Sequence, residues 1–268
     1  MNDSMTDRLS ARLKKSPLLV VVFLAVTFAL TWLAFVPLIL RRTHTQSTTG
    51  TLLLVLGIGA PSITAFVLTA LSAGREGVRG LWRGGTRWRV GARWYAAVLI
   101  IPGLAWGAAW AVAAAVEAEP PPVNPLLPAL ISGLLAGMLE EFGWSGLAFP
   151  ALQARYGFLR AGVAMGCIVA VWHLPFFFTP GTTQSRSSFL VFLLTLIPAR
   201  IIFGWIYNGS GGSILLTVVL HASGNAWSEV LGQGPAVADA AGLTVMLVFW
   251  AVAVGVLLKH RTPAPRQA

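Results

Sequence analysis

The chain has 268 residues, 56% of them hydrophobic and 10% charged, with a mean hydropathy of +0.75. Soluble domains carry about 25% charged residues, so an ordinary water-soluble globule is excluded, and the lone Cys167 excludes an internal disulfide or a cysteine-based zinc site. Nineteen Lys and Arg stand against nine Asp and Glu, a formal net charge of +10; no nucleic-acid recognition motif accompanies this excess, and in so apolar a chain it reads as the positive loops of a membrane protein.

A membrane helix needs about 20 mostly apolar residues to cross roughly 30 Å of hydrocarbon. A basic flank (Arg8, Arg12, Lys14, Lys15) precedes the first such stretch, 18–40. That run exceeds the roughly 7–15 residues of a signal-peptide core, and Arg41 and Arg42 follow with no small-residue cleavage site, so a retained first span is expected. Further stretches lie at 51–73, 94–116, 128–150, 161–178, 188–208, 211–231 and 239–258, eight in all. The sequence therefore predicts an all-α polytopic membrane protein, one bundle of about eight transmembrane helices forming a single domain over 1–268. The fifth stretch is short and the sixth contains Pro198 and Arg200. Proline and glycine inside spans are compatible with helices, because neighbouring segments satisfy the freed backbone groups.

Charge sets the expected orientation. Fifteen of the 19 Lys and Arg fall on the side of the N-terminus, in the two terminal flanks and in the segments 74–93 and 151–160. Only Arg41, Arg42 and Arg186 fall in loops on the opposite side. This bias predicts that both termini are cytoplasmic, in a multi-pass protein of a bacterial plasma membrane. The 117–127 loop, EAEPPPVNPLL, is acidic and proline-rich and suits an outer turn. The stretch Arg75–Arg93 interleaves its arginines with Trp82, Trp88 and the adjoining Trp94. It reads either as an interfacial segment that binds anionic headgroups or as a loop that only sets topology.

Few ionisable groups remain inside the spans. Glu140 and Glu141 lie in the fourth, His173 in the fifth, Arg200 in the sixth and His221 in the seventh. A carboxylate at the bilayer centre costs about 2.5–3.5 kcal/mol on insertion scales, so two adjacent glutamates call for a function or for hydrogen-bonded partners. They sit about 100° apart on a helix, near enough to face one crevice, and in a low-dielectric site they do not both ionise freely. A buried glutamate can serve as a general base for water. His173 offers a second proton acceptor. His221 and Asn225 are four residues apart, hence on one helix face, where an imidazole and an amide could hold a carbonyl and stabilise an oxyanion. Each of these also has a structural reading, since polar side chains join membrane helices to one another. Trp144, Trp172 and Trp227 are read as packing or crevice-lining residues.

This set, Glu-Glu, then His, then His-x-x-x-Asn over three spans, resembles the CPBP family of type II CAAX prenyl endopeptidases and bacteriocin-processing or self-immunity proteins. The family's first motif, Glu-Glu-x-x-x-Arg, corresponds to EEFGWSG from Glu140; its second, Phe-x-x-x-His, to VAVWH ending at His173; its third is intact as His221 and Asn225. The flanking AFPALQARYG, WHLPFF and ARIIFGWIYNGSGGSILLTVVLHASGN are also similar, so the likeness covers about 128–230. Two positions depart from it. Val169 stands where the family has Phe, an exchange of one apolar wall for another. Ser145 stands where it has Arg, which removes a positive charge from the face of Glu141; Arg200 on the sixth span could supply one instead.

The resemblance implies an intramembrane endopeptidase in which Glu140 and His173 activate water, His221 and Asn225 form the oxyanion site, and Glu141 supports Glu140. It implies no cofactor, and a membrane peptide or lipidated, CAAX-like protein as substrate. Two alternatives stay open: a zinc-dependent protease with Glu140, His173 and His221 as ligands, although no HExxH is present, and a catalytically impaired immunity or scaffold protein. A transporter with a proton-relay carboxylate fits the His221/Asn225 pair less well. Gly133, Gly137, Gly143 and Gly146 allow close helix approach or room for a peptide.

Overall fold

The computed structural model describes residues 17–116, 123–231 and 235–261. The basic N-terminal flank, residues 117–122 of the acidic loop and Arg266 lie outside them. Eight segments among the described residues are helical, long and apolar enough to cross a membrane, each overlapping an expected span. No strand occurs among the described residues. The chain is an all-α, multi-pass integral membrane protein. Leu18, Leu33, Leu52, Leu71, Leu104 and Leu247 are exposed on its outer surface, an apolar skin that lipid, not water, can cover.

Helix α1 spans Pro17–Leu40, α2 Thr48–Gly85 and α3 Ala92–Val116. The second span was expected to end near residue 73. In the structure the helix breaks at Gly74, with φ 61° and ψ −157°, and resumes to Gly85. Glycine alone adopts that backbone readily. The resumed segment is helical because Leu81 and Trp82 give it an apolar side: Leu81 is buried, and the Trp82 ring stacks on Phe142 at 6.2 Å. Arg75, Arg79, Trp82 and Trp88 remain exposed, whereas Trp94, expected at the interface with them, is buried edge-on to Trp205.

The fourth span is composite. Helix α4, Leu126–Gly143, passes into a π-helical turn, Trp144–Ala148, and on into α5, Phe149–Tyr156. π turns inside α-helices often mark functional sites, and this one directly follows the glutamates. Helix α6, Phe158–Trp172, stops where Pro175 removes the donor that would continue it, and the chain enters a 3₁₀ turn, Leu174–Phe178. His173 thus sits at the helix end. Helices α7 (Phe189–Gly209), α8 (Ile214–Leu231) and α9 (Pro235–Arg261) complete the bundle.

Small residues bring α4 against α8. A Cβ on Gly133 would lie 2.6 Å from the Ala222 carbonyl oxygen, and one on Gly137 2.8 Å from that of Val218. Backbones this close place the α4 glutamates beside the α8 histidine. On the other flank, Ser62 of α2 donates to the Met138 carbonyl at 3.0 Å, and Thr31 of α1 to that of Gly57 at 2.7 Å. The largest core cluster gathers Phe23, Trp144, Trp172 and Met165, with Trp144 edge-on to Phe23 at 5.6 Å and to Trp172 at 5.4 Å.

Candidate active site

Glu140 and Glu141 end α4 fully enclosed, 3% and 0% exposed. Adjacent on the helix, they turn to different partners. The Glu141 carboxylate accepts from Arg200 Nη1 with both oxygens, at 2.9 and 3.1 Å. Its Oε2 also accepts from the Ser145 hydroxyl, and its Oε1 lies 2.9 Å from Nδ1 of His221. Glu140 accepts one hydrogen bond, from the Trp144 indole at 3.2 Å, and its Oε1 stands 3.9 Å from Nε2 of His221. His221 therefore bridges the pair, one ring nitrogen on each carboxylate. With Nδ1–H donated to Glu141, Nε2 is the nitrogen turned to Glu140.

Arg200 is 5% exposed, and its guanidinium lies 4.6 Å from the Phe203 ring centroid. An aromatic face is one of the few surroundings that stabilise a desolvated cation. Among the described residues its Nε has no hydrogen-bond partner. Trp144, Ser145, Phe149, Met165, Arg200, Phe203 and Gly204 line a narrow void beside it. The Arg200–Glu141 ion pair is buried, with Ser145 on the same carboxylate.

His173 donates from Nδ1 to the Val169 carbonyl at 2.8 Å, which leaves Nε2 as an acceptor. Its ring packs on Trp172, Phe176 and Phe192, with centroids 4.6, 5.0 and 5.1 Å away. It is close enough to Arg200 and His221 to interact with them electrostatically, but it forms no hydrogen bond with either glutamate. Asn225 lies one turn beyond His221 on α8, exposed. The structure thus joins Glu140, Glu141 and His221 directly, sets His173 nearby, and leaves Asn225 at the rim. Val169 is fully buried beneath this site, in the core cluster of Trp144 and Trp172, as expected of an apolar wall.

Two residues of the site were not assigned from sequence as partners of the glutamates. Trp144 and Ser145 follow Glu140 and Glu141 by four residues each. That spacing was the available signal, since residues four apart meet on a helix face. The proposed zinc ligands Glu140, His173 and His221 are not gathered: among the described residues, no three His, Cys, Asp or Glu side chains converge as a metal ligand set. Glu141 already carries a guanidinium and holds one nitrogen of His221. This donor set does not fit a zinc ion.

Residues 122–227 match the sequence model of the Rce1-like, type II CAAX prenyl endopeptidases. The chain is also 34% identical over 98 residues to CAAX prenyl protease 2 of Methanococcus maripaludis (strain DSM 14266), a match covering 34% of this chain and 36% of that protein. The matched stretch thus spans about a third of the relative's length, and the family match covers the part of the chain that carries the site.

Proposed function

We propose, from the match of residues 122–227 to the Rce1-like type II CAAX prenyl endopeptidases, that the chain is an intramembrane endopeptidase acting on a prenylated or otherwise membrane-bound, CAAX-like peptide. The observation that carries this is the unequal treatment of two adjacent buried carboxylates. Glu141 is neutralised by Arg200 and hydrogen-bonded by Ser145, whereas Glu140 has one indole donor and faces His221 Nε2 across 3.9 Å. Glu140 is the general base. It takes a proton from a water whose oxygen attacks the scissile carbonyl carbon. His173, its Nδ1 tied to Val169, offers Nε2 as a second acceptor to that water. The oxyanion is held by His221 and by the Asn225 amide. When the tetrahedral intermediate collapses, the C–N bond breaks and Glu140 returns its proton to the leaving amine.

The charges support this division of labour. With both carboxylates ionised and Arg200 cationic, the cluster is one positive charge short of neutral. A single proton, on His221 Nε2 or on Glu140, closes the deficit. On His221 it donates to the oxyanion; on Glu140 it is available to the leaving amine. No metal enters the proposed reaction. Outside the site, exposed Arg75, Arg79, Trp82 and Trp88 on and after the resumed part of α2 suit anionic lipid headgroups, with the indoles at the interface.

The test is cleavage of a fluorogenic prenylated peptide by the purified protein, with and without a zinc chelator, beside Glu140→Ala. Loss of a general base lowers the rate roughly 10²–10⁴-fold. The expected result is that loss in Glu140→Ala and none with chelator. Chelator-sensitive cleavage would favour the zinc enzyme. Absence of cleavage by the wild-type chain, for membrane peptides as well as CAAX-like ones, would favour the immunity or scaffold reading.

A further inference from the structure

We propose that Arg200 is the positioning residue of the site, acting on His221 through Glu141, and that Ser145 is the small side chain that leaves Arg200 room to do so. The inference rests on the peptidase reading above and adds to it a residue from another span. Nη1 of Arg200 meets both oxygens of Glu141, and the same carboxylate holds Nδ1 of His221 at 2.9 Å. Arg200 thereby fixes the orientation of a carboxylate that fixes the orientation and tautomer of the imidazole. It forms no hydrogen bond with Glu140 or His221.

The coupling to position 145 follows from shared space. Ser145 and Arg200 donate to one carboxylate and line the same narrow void. Arg200 Nε is buried there without an acceptor. Position 145 lies four residues after Glu141, so a long side chain there would run through that void to the carboxylate now held by Arg200. The site has room for one guanidinium on the Glu141 carboxylate, offered from either position. Two would crowd the void and compete for that carboxylate.

The experiment measures kcat, KM and thermal midpoint in detergent for Arg200→Met, Arg200→Lys, Ser145→Arg and the double variant Ser145→Arg/Arg200→Met. Misplacement of a catalytic group by about 1 Å costs on the order of 10²-fold. Arg200→Met is therefore expected to lose roughly 10- to 100-fold in kcat with KM little changed. Arg200→Lys recovers part of that loss. Ser145→Arg alone lowers kcat, and the double variant returns to within a few-fold of wild type. Wild-type kcat in Arg200→Met, or a double variant that melts like wild type yet does not recover activity, overturns the proposal. If Arg200→Met does not fold, the test passes to the two variants that carry arginine at 145: a double variant less active than Ser145→Arg alone overturns it. A wild-type chain that cleaves nothing overturns the peptidase reading alone. The exchange of charge is then read from the thermal midpoint, and a double variant no more stable than Arg200→Met refutes it.

Discussion

Trp144 gives Glu140 its one hydrogen bond, while three side chains converge on Glu141 beside it. Partners, not chain position, separate the two carboxylates into a base and a support. Replacing Trp144 with Phe keeps a ring between Phe23 and Trp172 but removes the indole N–H. A hydrogen bond to a charged group contributes about 1.5–3 kcal/mol, and each 1.4 kcal/mol of transition-state energy is about tenfold in rate. Trp144→Phe is expected to lower kcat by about tenfold or more while the protein stays folded; an unchanged kcat would show that the indole only packs. At Glu141 the larger effect is on stability. Removing one partner of a buried ion pair costs about 3–5 kcal/mol, whereas removing both is often nearly neutral. Glu141→Gln is therefore expected to lower the thermal midpoint more than Glu141→Gln combined with Arg200→Met.

At the scale of elements, the site depends on how closely α4 and α8 approach. Gly133 and Gly137 present no side chain to the Ala222 and Val218 carbonyls, and in lipid such backbone contact replaces the hydrophobic drive that joins helices in water. Overpacking a tight contact typically costs about 1–3 kcal/mol. Gly133→Ala should accordingly melt at a lower temperature than wild type, while Gly224→Ala, where an added Cβ meets nothing within 4 Å, should not. Equal melting of the two variants would mean that the helices can part without cost. The π turn at 144–148 was not legible in the sequence, because its extra residue reflects packing of Trp144 and Leu147 into the core rather than any preference of WSGLA. The continuation of α2 past Gly74 was missed for a similar reason. Arginines and glycines read as a loop until Leu81 and Trp82 find Phe142 and the π turn to cover them.

For the whole molecule, the charge bias predicts a sidedness that labelling can check. In a Cys167→Ala background, Ser185→Cys lies in an exposed turn before α7 and Thr86→Cys in an exposed position after α2. An impermeant maleimide added to intact cells is expected to label the first, and the second only after permeabilisation. The opposite pattern would invert the orientation derived from the arginines. The same arginines at the inner surface would place exposed Trp82 and Trp88 at the headgroup level of that leaflet.

The sequence by itself determined the number and placement of the spans and the polar residues that matter, because each buried charge in hydrocarbon is costly enough to stand out against an apolar background. It also contained the spacing that joins Trp144 to Glu140 and Ser145 to Glu141. Only the tertiary structure decided that the two glutamates differ. The cation that neutralises Glu141 comes from α7, the imidazole that bridges the pair from α8, and the distance from α4 to α8 is set by glycine contacts whose partners no local pattern names. Arg200 and Glu141 are 59 residues apart in the chain and 2.9 Å apart in the fold.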